Sequence, residues 1–189
     1  MLRAAVIRLD SDQPFNGFVV AYESDELQFP VWVLLILTAM LFYASIAEGS
    51  AVLMLLSLFP GCFAFHNLPL LETGKTRLAA NQDCLFIDGL GRIGWRFINS
   101  ISLAEIVVRG SAYKEADIAL AAPLATALLE DARGMPLHRR LMRKPFYLKS
   151  GRTIRVPLEI FDRPPEHIIA SLLRIWLHNR GKPQKGEFG

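Results

Sequence analysis

Cysteine is almost absent from this chain: Cys62 and Cys84 are the only two in 189 residues. Two isolated thiols cannot build a tetrahedral zinc site, and in a reducing compartment they do not form a disulfide, so both read as small apolar fillers. Histidine is as sparse. His66, His138, His167 and His178 are scattered, and none has a second histidine or cysteine three or four positions on. His167 and His178 stand about three helical turns apart, sharing a face but unable to meet at one metal.

Catalytic motifs are missing too. No glycine-flanked serine elbow occurs, and Ser100, Ser102 and Ser111 have no evident base. Gly89-Leu90-Gly91-Arg92-Ile93-Gly94 fits the spacing of a dinucleotide loop. The continuation Trp95-Arg96-Phe97-Ile98 reads as strand, however, and not as the helix whose N-terminus would hold a pyrophosphate. Gly74-Lys75-Thr76 has Pro69 where a phosphate-binding loop needs its first glycine. No catalytic residue, metal ligand or cofactor-binding residue emerges, and the reading is of a non-enzyme.

Two long apolar runs dominate what is there, Phe29 to Ala47 and Ala51 to Leu71, separated by Glu48, Gly49 and Ser50. At about 1.5 Å of rise per residue each would reach roughly the 30 Å of a bilayer core as a helix. Buried helices of a soluble domain usually interleave polar positions every turn, whereas from Pro30 to Ala47 only Thr38 and Ser45 do so beside the rim-type Trp32 and Tyr43. Acids at Glu23, Asp25 and Glu26, where a signal peptide would be basic, argue against cleavable secretion. Residues 29–71 therefore read as a transmembrane hairpin, with a kink expected before Pro60. His66 and Asn67 mark its exit at the water interface.

Charge sets orientation. Lys75 and Arg77 open the stretch after the hairpin, which later gathers Arg133, Arg139, Arg140, Arg143 and Lys144, while the hairpin tip has no Lys or Arg. Basic residues stay on the cytoplasmic side, so both termini are expected there. Residues 72–189 carry 19 Lys and Arg against 12 Asp and Glu, a net +7 hidden within the whole-chain +3. One basic domain of that size beside a cytoplasmic leaflet is suited to anionic headgroups.

Short runs rich in β-branched and aromatic residues follow the hairpin. Thr76 to Ala80, Asp83 to Asp88, Arg92 to Ile98 and Ser102 to Val108 read as an antiparallel meander. Asp117 to Ala121, Pro145 to Lys149 and Thr153 to Ile160 are further strand candidates. Ser150-Gly151 is the tight turn between the last two, and Pro157 suggests an edge position. Pro164 and Pro165 open a final helix that Gly181 and Pro183 stop, with Ile168, Ile169, Leu172, Leu173 and Trp176 on one stripe over the sheet. The N-terminal segment, residues 1–28, holds two apolar pieces, Ala4 to Leu9 and Phe18 to Tyr22, which are either short strands or part of an unstructured arm.

Residues 110–144 read as an insertion, with a short helix from Pro123 whose face is Leu124, Leu128, Leu129 and Ala132. After it, His138, Arg139, Arg140, Arg143 and Lys144 surround Leu137, Leu141 and Met142. With Arg133 they form the best candidate for a membrane-surface or partner-binding patch, the alternative being a solvated basic loop.

Hairpin, then Asp83-Cys84-Leu85-Phe86-Ile87-Asp88-Gly89, then Ile93-Gly94-Trp95 and Ile98, then a terminal amphipathic helix: in this order roughly residues 30–180 resemble small bacterial two-transmembrane-helix proteins with a cytoplasmic pleckstrin-homology-like domain. The resemblance implies a membrane hairpin plus an α+β domain, an antiparallel sheet closed by a C-terminal helix, in the bacterial inner membrane. Such domains are usually binding or scaffolding modules, and their phosphoinositide recognition does not transfer by fold analogy. Trp95 is then a possible cleft residue, or a core anchor. The expected function is a membrane-anchored interaction module engaging anionic lipid headgroups or a protein partner. The alternative is an immunity-type or accessory subunit of a membrane complex, with the Ala and Leu face of residues 124–132 as its docking surface. Nucleic acid is not an expected partner, because Phe146 and Tyr147 are committed to a strand.

Overall fold

A computed structural model describes residues 17–23, 25–72, 74–108, 110–129 and 136–180. The expected piece Ala4 to Leu9, Ala132, Arg133 and the end of the chain beyond 180 lie outside the described residues.

The first helices among the described residues are α1 (Asp25–Glu48) and α2 (Ala51–Asn67), the latter continuing as one 3-10 segment, Leu68–Leu71. The reversal between them uses Gly49 at φ 62°, and Ser50 caps α2, its hydroxyl accepting from Leu53 N. The helices meet through small side chains. Ser57 and Ala64 are buried, and a Cβ at Gly61 would stand 3.3 Å from Thr38 Cγ2. Thr38, Ser45 and Ser57 each turn the hydroxyl back onto a carbonyl of their own helix, at 2.7 Å, so none presents an unsatisfied donor. α2 is helical through Pro60. The segments Leu27–Glu48 and Ala51–Leu71 are each long and apolar enough to cross a membrane, and only 11% and 17% of an 18-residue apolar window in each is buried within the protein.

The rest is α+β: two four-stranded antiparallel sheets and a C-terminal helix. The first sheet runs β1 (Phe18–Val20), β2 (Leu78–Ala80), β3 (Cys84–Ile87), β4 (Gly91–Gly94). β1 precedes the helical pair and β2 follows it, yet they pair directly, Phe18 opposite Ala80 and Val20 opposite Leu78. Both feet of the pair are thereby tied to one sheet. Just after β1, Glu23 N donates to Ile160 O, Asp162 N donates to Ala21 O, and Tyr22 stacks on Phe161.

The expected strand Arg92 to Ile98 is broken at its middle. β4 ends at Gly94, and Trp95–Phe97 form one 3-10 turn that carries the chain into the second sheet. That sheet has the order β5 (Ile98–Val108), β6 (Ser111–Leu120), β8 (Thr153–Pro157), β7 (Tyr147–Ser150). β6 pairs with β5 along its whole length, so Ser111 to Leu120 of the stretch read as an insertion is a sheet strand. β8 is an inner strand, not the edge that Pro157 suggested. Pro157 is its last residue, opposite Glu115 of β6, and β7 pairs only as far as Arg155, so no partner on that side needs the missing amide.

Three further helices lie among the described residues. The expected helix of residues 124–132 is a single turn, α3 (Leu124–Ala127), after which Leu128 bridges Ile93 and Leu129 N donates to Arg92 O, covering the open edge of β4. Ala127 is fully buried and Leu124 and Leu128 pack on the core, which occupies much of the face proposed for docking. α4 (Leu137–Leu141) is short and basic. α5 (Pro165–Asn179) lays Ile168, Ile169, Leu172 and Trp176 on the core, the Trp176 indole donating to Ile98 O at 3.2 Å.

Candidate functional site

The basic segment expected to be a surface patch lies against the base of the two helices. Where α2 ends, His66 Nδ1 is 2.7 Å from Leu141 O; because a carbonyl only accepts, Nδ1 carries the proton. In return Arg143 N donates to His66 O at 2.7 Å, and the Arg143 guanidinium reaches Asn67 Oδ1 at 3.4 Å. One turn further, Arg139 donates to Glu72 Oε2 at 2.9 Å. α4 and the three residues after it thus form a strap across the exit of α2.

Under the strap is a charged cluster. Arg77 is fully buried and donates to Asp88, to Pro69 O at 2.7 Å and to Glu72 Oε2 at 2.8 Å, while its guanidinium stands 4.7 Å over the Tyr22 ring. Glu72 also faces Lys75 at 3.5 Å. Partial burial disfavours the Glu72 charge, yet the Arg139 hydrogen bond and the charges of Arg139, Arg77 and Lys75 outweigh it and hold the carboxyl below its ordinary range. Burial wins at Tyr22, whose phenol is pushed up to about 12 despite the opposing charges of Arg77 and Arg143. The cluster links β1, the α2 exit, β2, β3 and the strap through side chains of both signs.

Among the sequence candidates, Arg139 and Arg143 are engaged as described, and His138 and Arg140 are exposed. Lys144 lays its stem over Gly89, where a Cβ would meet Cγ at 3.4 Å, and holds its ammonium 5.9 Å from the Phe146 ring centroid. Leu141, between these cations, is 68% exposed. Trp95 stands apart, buried in the core with its indole donating to Asn81 O at 2.9 Å. Gly89 to Gly94 form the β3 to β4 turn and β4 itself. Among the described residues no group of His, Cys, Asp and Glu is placed to hold a metal; Cys62 is exposed on α2 and Cys84 buried in β3.

Composition did not point to His66, Asn67, Glu72 or Tyr22 as members of this site. One signal was available: Glu72 is the first charged residue after the second apolar run and is followed by Lys75 and Arg77. Compared with protein-family models, with curated proteins and with solved structures, the chain has no match.

Proposed function

We propose that this protein is a non-enzymatic, membrane-anchored interaction module of the bacterial inner membrane. Its pleckstrin-homology-like cytoplasmic domain meets anionic lipid headgroups through the strap of residues 137–144. The observation that carries the reading is the hydrogen bonding of that strap to His66 and Asn67 at the exit of the second apolar helix. In a hairpin that spans, these residues stand at headgroup level, and Arg139, Arg140, Arg143 and Lys144 stand there with them.

Three further features support it. The two apolar windows expose their side chains on nearly every face, as lipid-solvated helices do and core helices do not. β1 and β2 share a sheet across the helical pair, which agrees with both ends of the hairpin lying on one side. Leu141 adds an exposed apolar side chain among the cations, the composition of an interfacial segment.

The test uses the full chain in nanodiscs of phosphatidylcholine with or without phosphatidylglycerol, quantifying the lipid retained after purification at low and high salt. The native chain should enrich the anionic lipid, less so in high salt. Changing Arg139, Arg140, Arg143 and Lys144 to Gln should remove the enrichment, at up to about 1 kcal/mol per charge. Equal retention of both lipids by the native chain would sink the reading. A stoichiometric protein co-purifying in their place would move it to partner binding.

A further inference from the structure

Resting on that reading, the geometry points to a discrete phosphate site, for the headgroup of one anionic phospholipid. It lies in the crevice lined by Asp88, Gly89, Arg139, Met142, Arg143, Lys144 and Pro145, where Arg143 and Lys144 are its cationic ligands. Diffuse attraction between a basic surface and a leaflet needs no such crevice. Here the cations differ in how they are compensated. Arg139 spends its charge on Glu72, and Asp88, the one acid of the lining, is taken by Arg77. Among the described residues neither Arg143 nor Lys144 pairs with a carboxylate. Two cations adjacent in the chain thus line one crevice whose single acid is already bound to Arg77.

The chain holds them in place before a ligand arrives. Arg143 is pinned through its backbone amide on His66 O, and among the described residues its guanidinium meets one acceptor, Asn67 Oδ1 at 3.4 Å, a contact that a charge-assisted bond to phosphate would outcompete. Lys144 is held by its stem, which lies over Gly89 in the left-handed region at φ 80°. A guanidinium offers two parallel donors to phosphate oxygens and an ammonium a point charge, so the pair suits a single phosphate group. The strap's bonds to His66 and Asn67 put the crevice beside the exit of α2, so a phosphate carried on a lipid is favoured over one in free solution.

The experiment measures the anionic lipid that stays with the full chain after exchange into phosphatidylcholine nanodiscs, by native mass spectrometry. The native chain should retain one phosphatidylglycerol or phosphatidic acid per protein. Arg143→Gln with Lys144→Gln should lower that occupancy at least about tenfold, while Arg152→Gln with Arg174→Gln, which removes as much charge elsewhere, should not. Met142→Trp keeps every charge but fills the crevice, and should also lose the bound lipid. Circular dichroism and melting temperature verify that each variant is folded.

Retention of the lipid by folded Met142→Trp would overturn the site while leaving general headgroup attraction standing. Loss of all anionic preference in the native chain would remove both readings. Displacement of the lipid by millimolar inorganic phosphate would assign the crevice to a soluble phosphate and overturn the lipid proposal.

Discussion

Arg77 is the residue on which the base of the molecule is organised. A guanidinium with no solvent exposure is tolerated because it meets Asp88, Glu72, a carbonyl and an aromatic face at once. Glu72 joins this buried cation to Arg139 of the strap, and its lowered pKa ties stability to pH. A carboxyl whose folded pKa lies below its unfolded value contributes stability that is present above the unfolded value. That stability is lost as pH falls through the folded one. The melting temperature of the native chain should therefore fall progressively below about pH 5. Glu72→Gln should melt lower than the native chain at neutral pH and change less on acidification, as thermal scans across that range can verify. Asp117 contributes in the same direction, its pKa lowered first by the hydrogen bond from Arg155, so the acid slope of the variant flattens but does not vanish.

Among elements, β1 is the most consequential for its size. Three residues upstream of the helical pair complete a sheet whose other strands lie downstream, and Tyr22 and Glu23 extend the attachment to Phe161 and Ile160. Its entry depends on Gly17, where a Cβ would stand 2.3 Å from Ala80 O and 3.2 Å from Asn81 Cα, both backbone atoms that cannot step aside. Gly17→Val should separate β1 from β2 and cost about 1–3 kcal/mol in chemical denaturation. Gly151→Ala, at a position with open space, should be close to silent. The pairing also means that residues 72–189 alone lack one strand of their first sheet, so binding is best measured on the full chain. α4 is the opposite case. A five-residue helix has little stability of its own, and its position comes from His66, Asn67 and Glu72.

At the scale of the whole molecule, the strap and β1 stand at one end of the helical pair and the Gly49 reversal at the other. In a spanning hairpin those ends face different compartments. With Cys62 and Cys84 changed to Ala, a single Cys at Ser50 should react with an impermeant maleimide from the side opposite to one at Arg152. Labelling of both from one face of oriented vesicles would refute a spanning hairpin and, with it, the headgroup-level position of the strap.

Much of this architecture was legible residue by residue because it is local. Apolar length with Glu48-Gly49-Ser50 between runs marks two helices and a reversal, the glycines at 89 and 91 mark a strand turn, and the stripe from Ile168 to Trp176 marks a helix lying on a core. These signals act within a turn or two of the chain and need no partner. Only tertiary structure decided the rest. Only the end of β6, from Asp117, is legible as strand; Ser111 to Ala116 is not, because its pairing with β5 supplies what its mixed composition lacks. Pro157 lies in an inner strand because β7 stops short of it. The basic segment is a candidate patch on composition alone, but its place across the exit of α2 is decided by His66 and Glu72, some 70 positions earlier, which reach Leu141 and Arg139. Composition along the chain alone determines which segments shun water; which charges then meet is decided by contacts whose sequence separation carries no periodic trace.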